Sequence, residues 1–252
     1  PHVLTMTATP IPRTVALTFY GDLDLSTLDE IPKGRQKIST WIVPPEKREG
    51  AYKWIYSQIT VHHSQCFIVC PLIEESENET MKSVKAVKKE YEDLKKIFKG
   101  VSIGLLHGKQ VSSEKNKVVE DFKNGKTAIL VATPVVEVGI DIPNATIIVI
   151  EATERFGLAQ LHQLRGRVGR SDKKSYCLLF SEAKGEKALA RLSAMEKSYS
   201  GFELAELDLK LRGPGEIFGL RQHGIPDLKI ASWQDIELIK KAKEIALRIS
   251  NQ

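Results

Sequence analysis

The sequence predicts an α/β fold: a parallel sheet flanked by helices, followed by a mostly helical C-terminal extension. Three observations predict it. Runs of strand length recur, among them AILVA (128–132), TIIVI (146–150) and SYCLLF (175–180). Segments with apolar residues at helical spacing separate such runs, and strands alternating with helices imply parallel neighbours joined by right-handed crossovers. After Phe180 only helical segments and one Gly/Pro-rich loop remain, so a boundary is expected near residue 182.

The elements follow in order. VLTMTA (3–8) reads as a strand end, followed by a turn at Pro10 and Pro12 and a connecting segment from Gly21 to Gly34. KISTWIV (37–43) reads as a strand. Residues 46–63 read as a helix, with Ala51, Trp54, Ile55 and Ile59 on helical spacing. A strand at 66–70, an acidic loop at 74–79 and a charged helix over about 80–98 come next. VSIGLL (101–106) is a further strand, and Ser112 or Ser113 is expected to cap a helix running to Asn124. Near the end, Trp233, Ile236, Ile239 and Ile245 mark a helix over 232–250.

Composition sets the class. The chain has 252 residues, 42% hydrophobic and 27% charged, with a net charge of +5, which suits a polyanionic partner without proving one. The apolar runs are far shorter than the ~18–20 residues of a membrane span, so no membrane partner is expected. The opening PHVLTMTATP lacks an initiator Met and reads like the middle of a protein, hence a fragment. Three cysteines, Cys66, Cys70 and Cys177, argue for a reducing cytoplasm over a disulfide framework. His62, His63, Cys66 and Cys70 could be drawn as a zinc site. The run QCFIVCPLI favours thiols buried in a strand instead, and no metal ligand of this chain is expected.

In a parallel α/β sheet, ligands sit beyond the carboxyl ends of the strands. Three strands end in polar or Gly-rich sequence: HGK (107–109), TPVVEVGIDIP (133–143) and ATERFGLAQLHQLRGRVGR (152–170). Gln163, Arg167 and Arg170 are spaced i, i+4, i+7, which on a helix places them on one face. Gly166 and Gly169 are expected to break that helix into a turn and let the guanidinium groups approach a ligand closely. Two guanidinium forks on such a turn match the oxygens of a phosphate.

QLRGRVGR resembles motif VI of superfamily-two helicases, ATPVVEVGIDIPNA resembles motif V, and TATPIPRT resembles motif III. Order and spacing match, and the resemblance covers the whole chain. It implies a RecA-like second motor lobe. It further implies that Arg167 and Arg170 are arginine fingers reaching across a cleft to ATP, with Gln163 beside them. Gly139 and Asp141 would line the nucleotide cleft, Thr133 would hold the DNA phosphate backbone, and Gly108 would help hold the strand. Thr7 and Thr9 would couple hydrolysis to lobe movement. From the residues alone, Asp141 reads as well as a loop-capping carboxylate, and Thr133 as a strand-end hydroxyl closing its own turn.

ATP hydrolysis also needs a phosphate loop, GxxxxGK[ST], and an acidic box for Mg²⁺. Gly125-Lys126-Thr127 does not supply the loop: Glu120 stands where its first glycine belongs, and the segment enters a strand, not a helix. ATP and Mg²⁺ are therefore expected to be held by a first lobe absent from this sequence, and the chain alone is expected to be inactive.

The flanks narrow the resemblance. FYGDLDLSTLDEIPKGR (19–35) and DLKLRGPGEIFGLRQHGIPDLKIA (208–231) resemble the RecG family of branch-migration helicases. On that likeness, 1–35 is the end of the first lobe with the inter-lobe connection, 36–182 is the second lobe, and 183–252 holds a helical hairpin (186–211), a translocation loop (212–224) and the C-terminal helix. Arg191, Arg212 and Gln222 match coupling residues. Leu220 stands where a small residue is expected, which bears on the loop's geometry. The implied partners are branched duplex DNA (replication forks and Holliday junctions) and, within the same polypeptide, a first motor lobe and a wedge domain. Two alternatives are kept: a lobe of a transcription–repair coupling translocase, a family that shares motifs V and VI and the hairpin but differs in these flanks, and a non-catalytic DNA-binding scaffold, against which the intact GRVGR argues.

Overall fold

The computed structural model describes residues 36–71, 77–134, 142–212 and 236–250, with Leu4, Met6 and Ser26 besides. Several expectations fall outside these residues: most of the strand end at 3–8, the turn at Pro10 and Pro12, most of the connection at 21–34, the first half of the acidic loop (its residues 77–79 are helical instead), and the loop beyond Arg212.

Six strands form one parallel sheet, as the alternation predicts. They are β1 (Ser39–Val43), β2 (Gln65–Val69), β3 (Ile103–Leu106), β4 (Ile129–Ala132), β5 (Ala145–Ile150) and β6 (Tyr176–Phe180), in the order β1-β6-β5-β2-β4-β3. Every pairing is parallel, with Ser39 opposite Tyr176, Phe67 opposite both Leu130 and Ile148, and Leu106 opposite Ala132. The central strands β2, β4 and β5 are buried along their whole length, as strands covered on both faces must be.

The chain crosses the sheet in one direction to β3 and then returns, which places helices on both faces. Helices α1 (Arg48–His62) and α2 (Glu77–Ile97) cover one face. There Ile55, Ile59, Val87, Leu94 and Phe98 pack on Cys66, Ile68, Ile129, Val131, Ile147 and Val149. The alternate strand residues serve the other face, where Phe67 meets Phe122 of α3 (Ser112–Lys123) with ring centroids 5.0 Å apart.

Neither serine caps α3. The helix begins at Ser112, the extended residue before it is Val111, and Lys115 N–H donates to Val111 O at 3.1 Å with no side-chain cap. Both serines already lie inside the first turn. The thiols Cys66, Cys70 and Cys177 are buried and free, so the strand reading of QCFIVCPLI holds.

Helix α4 (Leu158–Arg165) precedes β6, and α5 (Glu186–Lys197) packs on β1, on α4 and on the turn at Thr153–Arg155. Strand β1 is an edge strand. The Ile42 N–H points away from β6 and donates to the Glu196 carboxylate of α5 at 2.8 Å, so one exposed edge group is satisfied. These elements, through Lys197, form one compact unit.

Ser198–Arg212 and Ile236–Ser250 belong to a second unit. Helix α6 (Gly201–Arg212) starts with Ser200 Oγ accepting from Glu203 N–H at 3.3 Å, while Ser198 Oγ donates to Glu203 Oε2 at 2.6 Å. Helix α7 (Ile236–Ser250) leaves Leu238, Ile245 and Ile249 exposed. Among the described residues no helix is long and apolar enough to cross a membrane.

Candidate nucleotide and nucleic-acid site

The polar residues of interest gather at the carboxyl edge of the sheet. Strand β5 ends at Ile150, and Glu151 N–H still donates to Val69 O at 2.9 Å. Ala152 then takes a left-handed conformation, φ 46° and ψ 53°, which costs an L-residue energy and is held by what surrounds it. Thr153 Oγ1 donates to Phe180 O at 3.1 Å and Ser181 Oγ donates to Glu154 Oε2 at 2.8 Å, tying the ends of β5 and β6 together.

Helix α4 runs from this turn into the GRVGR segment. It ends at Arg165, one residue before Gly166, so Arg167 and Arg170 lie beyond the helix and share no regular helical face with Gln163. The break at the glycines is as expected. Arg167 N–H donates to Leu164 O at 3.0 Å, and Gly169 takes φ +70°. A Cβ on Gly169 would lie 2.8 Å from Ile38 Cγ1, so both its conformation and its space require glycine. Gln163 and Arg167 are half-buried and Arg170 is exposed, with its Nε donating to Gly166 O at 3.4 Å.

Arg165 is a residue that spacing arguments passed over. It is 3% exposed, its Nη1 donates to Met195 O at 2.7 Å, and its Nη2 lies 3.0 Å from His162 Nδ1. Arg191 of α5, half-buried, donates from Nη2 to Phe156 O at 2.5 Å. Two guanidinium groups thus tie α5 to the segment that carries GRVGR.

Glu151 is the other omission. It is 6% exposed and pairs with Arg48 of α1, while the Tyr52 hydroxyl donates to its Oε1 at 3.3 Å. Burial pushes the Glu151 carboxyl up to about 7, against the attraction of Arg48. The guanidinium of Arg48 also lies 5.0 Å from the Phe180 ring centroid. The sequence signal was a carboxylate closing an apolar strand, with Arg48 and Tyr52 one helical turn apart.

Thr133, just past β4, is 1% exposed, and its Oγ1 has no hydrogen-bond partner among the described residues. The segment 135–141 that follows lies outside the described residues. Gly108, just past β3, is exposed, and its carbonyl accepts from Lys115 Nζ at 2.7 Å. Thr7, Thr9, Gly139, Asp141 and Gln222 lie outside the described residues, and Arg212 is the last residue of α6, its side chain also outside. Among the described residues no group of three or more His, Cys, Asp or Glu could hold a metal ion.

Comparison with known proteins decides the family. Residues 51–172 match the helicase conserved C-terminal domain, and residues 198–252 match the C-terminal part of domain 3 of the ATP-dependent DNA helicase RecG. The chain is 50% identical over 248 residues to the ATP-dependent DNA helicase RecG of Synechocystis, covering 98% of this chain and 29% of that protein. It is 47% identical to RecG of Thermotoga maritima, covering 96% of this chain and 31% of that one. The chain belongs to the RecG family. A structure of RecG bound to a three-way DNA junction is similar over 92% of this chain and 30% of that one, with 44% identity and a TM-score of 0.72. The six-stranded sheet is accordingly a RecA-like helicase lobe, and the chain spans about a third of the length of the RecG proteins it matches.

Proposed function

We propose that this chain is the C-terminal part of an ATP-dependent DNA translocase that unwinds or branch-migrates replication forks and Holliday junctions. The observation that carries the reading is the GRVGR turn. Two arginines stand on a glycine-broken segment at the carboxyl edge of a RecA-like sheet, in a chain half identical to a RecG helicase. Guanidinium donors on such a turn fit a polyphosphate.

In this reading ATP with Mg²⁺, gripped by a first lobe elsewhere in the polypeptide, supplies the hydrolysis that drives each step. Arg167 and Arg170 bring fixed positive charge to the transferring phosphoryl group, with Gln163 beside them, and Gly139 and Asp141 complete the cleft. Thr133 and Gly108 hold the DNA backbone, so binding is salt-dependent and indifferent to sequence. Arg191, Arg212, Gln222, Thr7 and Thr9 convert lobe closure into movement of the 212–224 loop along duplex DNA. The functional segments are 1–35, 36–182 and 183–252, with α5 of the last segment packed on the lobe in one compact unit; a wedge domain lies elsewhere in the polypeptide, and the protein works in the cytoplasm, in keeping with its free thiols.

The test is Arg167→Ala in the full-length protein. Hydrolysis should fall roughly a thousandfold while DNA binding persists. Hydrolysis within about twofold of wild type refutes the finger role, since a lost finger costs at least about a thousandfold. Arg212→Ala should leave hydrolysis intact and abolish fork unwinding.

A further inference from the structure

Two unsatisfied side chains stand side by side at the carboxyl edge. Leu106 and Ala132 are the last register partners of β3 and β4, so His107 and Thr133 are the next pair along these adjacent strands. The Thr133 N–H donates to Leu106 O at 3.2 Å. His107 is 6% exposed and Thr133 is 1% exposed. Neither His107 Nδ1 nor Thr133 Oγ1 has a hydrogen-bond partner among the described residues. Buried polar atoms are almost always paired, so two neighbouring exceptions among the described residues mark a place where a ligand could be held.

The strand end that carries the imidazole is rigid. The Gln110 carboxamide accepts from His107 N–H at 2.8 Å and donates to Leu105 O at 3.1 Å, and Gln110 N–H donates to His107 O at 3.2 Å. Lys115 Nζ fixes the next residue through Gly108 O. The backbone that carries the imidazole is therefore fixed before any ligand arrives.

The surroundings select an anion. Lys88 of α2 and Lys115 of α3 face the imidazole, opposed by Glu114 of α3, and the exposed Lys109 lies two residues along. Burial first, and then the two lysines, hold the His107 imidazole below its ordinary value. A hydroxyl and an imidazole N–H offer two donors within this positive field. An anionic oxygen accepts both and favours the protonated ring.

We propose that His107 Nδ1 and Thr133 Oγ1 together grip one phosphodiester of bound DNA, with His107 as a proton-dependent ligand. The inference rests on the DNA-backbone role proposed above for Thr133. Binding then takes up a proton. Affinity rises as pH falls through the titration range of the DNA-bound imidazole, and is lost from the alkaline side.

The test uses the full-length protein with a forked duplex, His107→Gln beside wild type, read by fluorescence anisotropy at about pH 6 and about pH 8 across a salt series. Wild type should bind severalfold tighter at the lower pH. His107→Gln should flatten that dependence, and at the lower pH should reduce the slope of log affinity against log salt by about 0.9, the contribution of one phosphate. Imidazole titration of the wild type by NMR of labelled histidine, with and without duplex, gives a reading independent of the variant's folding: DNA should raise the His107 pKa. Identical pH profiles for the two proteins, or a titration that moves with inorganic phosphate or nucleotide but not with DNA, overturns the proposal. A wild-type protein without salt-dependent DNA binding overturns the broader functional reading instead.

Discussion

Gly169→Ala tests the turn on which the arginines stand. Gly169 has φ +70°, and an added Cβ would lie 2.8 Å from Ile38 Cγ1 and 3.1 Å from Cδ1. The left-handed conformation costs alanine about 1–2 kcal/mol. Forcing a methyl group against a buried side chain costs about 1–3 kcal/mol more. The single variant should therefore lose about 2–5 kcal/mol. Ile38→Ala removes both clashing atoms, and alone costs about 2–5 kcal/mol through the cavity it leaves. Combined, the two substitutions share one space. The double variant should be more stable than the sum of the singles by about 1–3 kcal/mol, the steric part, while the conformational part remains. Urea unfolding of the four proteins measures this coupling. Additivity within about 0.5 kcal/mol refutes the packing argument, because independent sites add to that accuracy. In the full-length protein Gly169→Ala should also lower ATP hydrolysis, since the strain is relieved by moving the backbone between Arg167 and Arg170.

Three further outcomes follow from the buried groups. Glu151 has a folded-state pKa of about 7 against an ordinary 4.5, so the folded chain holds a proton that the unfolded chain releases. Its contribution is fully present below about pH 4.5 and is lost as pH rises to about 7. Glu151→Gln should flatten the urea midpoint across that window, and an unchanged pH dependence refutes the assignment. Arg165→Met should cost about 2–3 kcal/mol, because the Met195 carbonyl loses a charged donor in a buried place; a variant as stable as wild type in urea refutes it. Cys66, Cys70 and Cys177 should resist an aromatic disulfide reagent until the protein unfolds. Burial pushes all three thiols up, Cys177 to about 12, and rapid labelling of the native chain would contradict the strand packing.

Much of the lobe is legible because its signals are local. Runs such as AILVA and TIIVI have the length and β-branched content of strands buried on both faces, and they occupy β4 and β5. The glycines of GRVGR announce a broken helix, and the helix does end at Arg165. What escapes is decided by neighbours distant in sequence. Whether Arg165 points to solvent or into the protein depends on Met195, thirty positions away. Glu151 reads as a strand terminator until α1 folds back and sets Arg48 and Tyr52 against it. The α3 cap failed for the opposite reason: two adjacent serines both suit a cap, and the chain turned one residue earlier, at Val111. Thr133 illustrates a third case. Its sequence context allows either a turn-closing hydroxyl or a ligand, and the unpartnered hydroxyl among the described residues favours the ligand proposed above.

The anchoring of α5 bears on how such a lobe could do work. Its last turn is held twice, by Arg165 on the Met195 carbonyl and by the Glu196 carboxylate on the Ile42 N–H of the sheet edge. One turn earlier Arg191 reaches the Phe156 carbonyl at 2.5 Å, within the loop that leads into α4. Of these three bonds, two start or end in the segment that leads to the arginines, and one is fixed to β1. A helix joined by charged hydrogen bonds to both the site and the sheet moves with them, because each such bond costs free energy to break. Lys197 is the final residue of this unit, and the chain passes at Ser198 into the next. In the proposed motor, displacement of the GRVGR segment on phosphate release therefore carries α5 with it. Glu196→Gln, which keeps an acceptor for Ile42 N–H, should preserve coupling of hydrolysis to unwinding. Glu196→Ala should keep hydrolysis and lose unwinding. Equal unwinding by both variants would mean that α5 is carried by Arg165 and Arg191 alone.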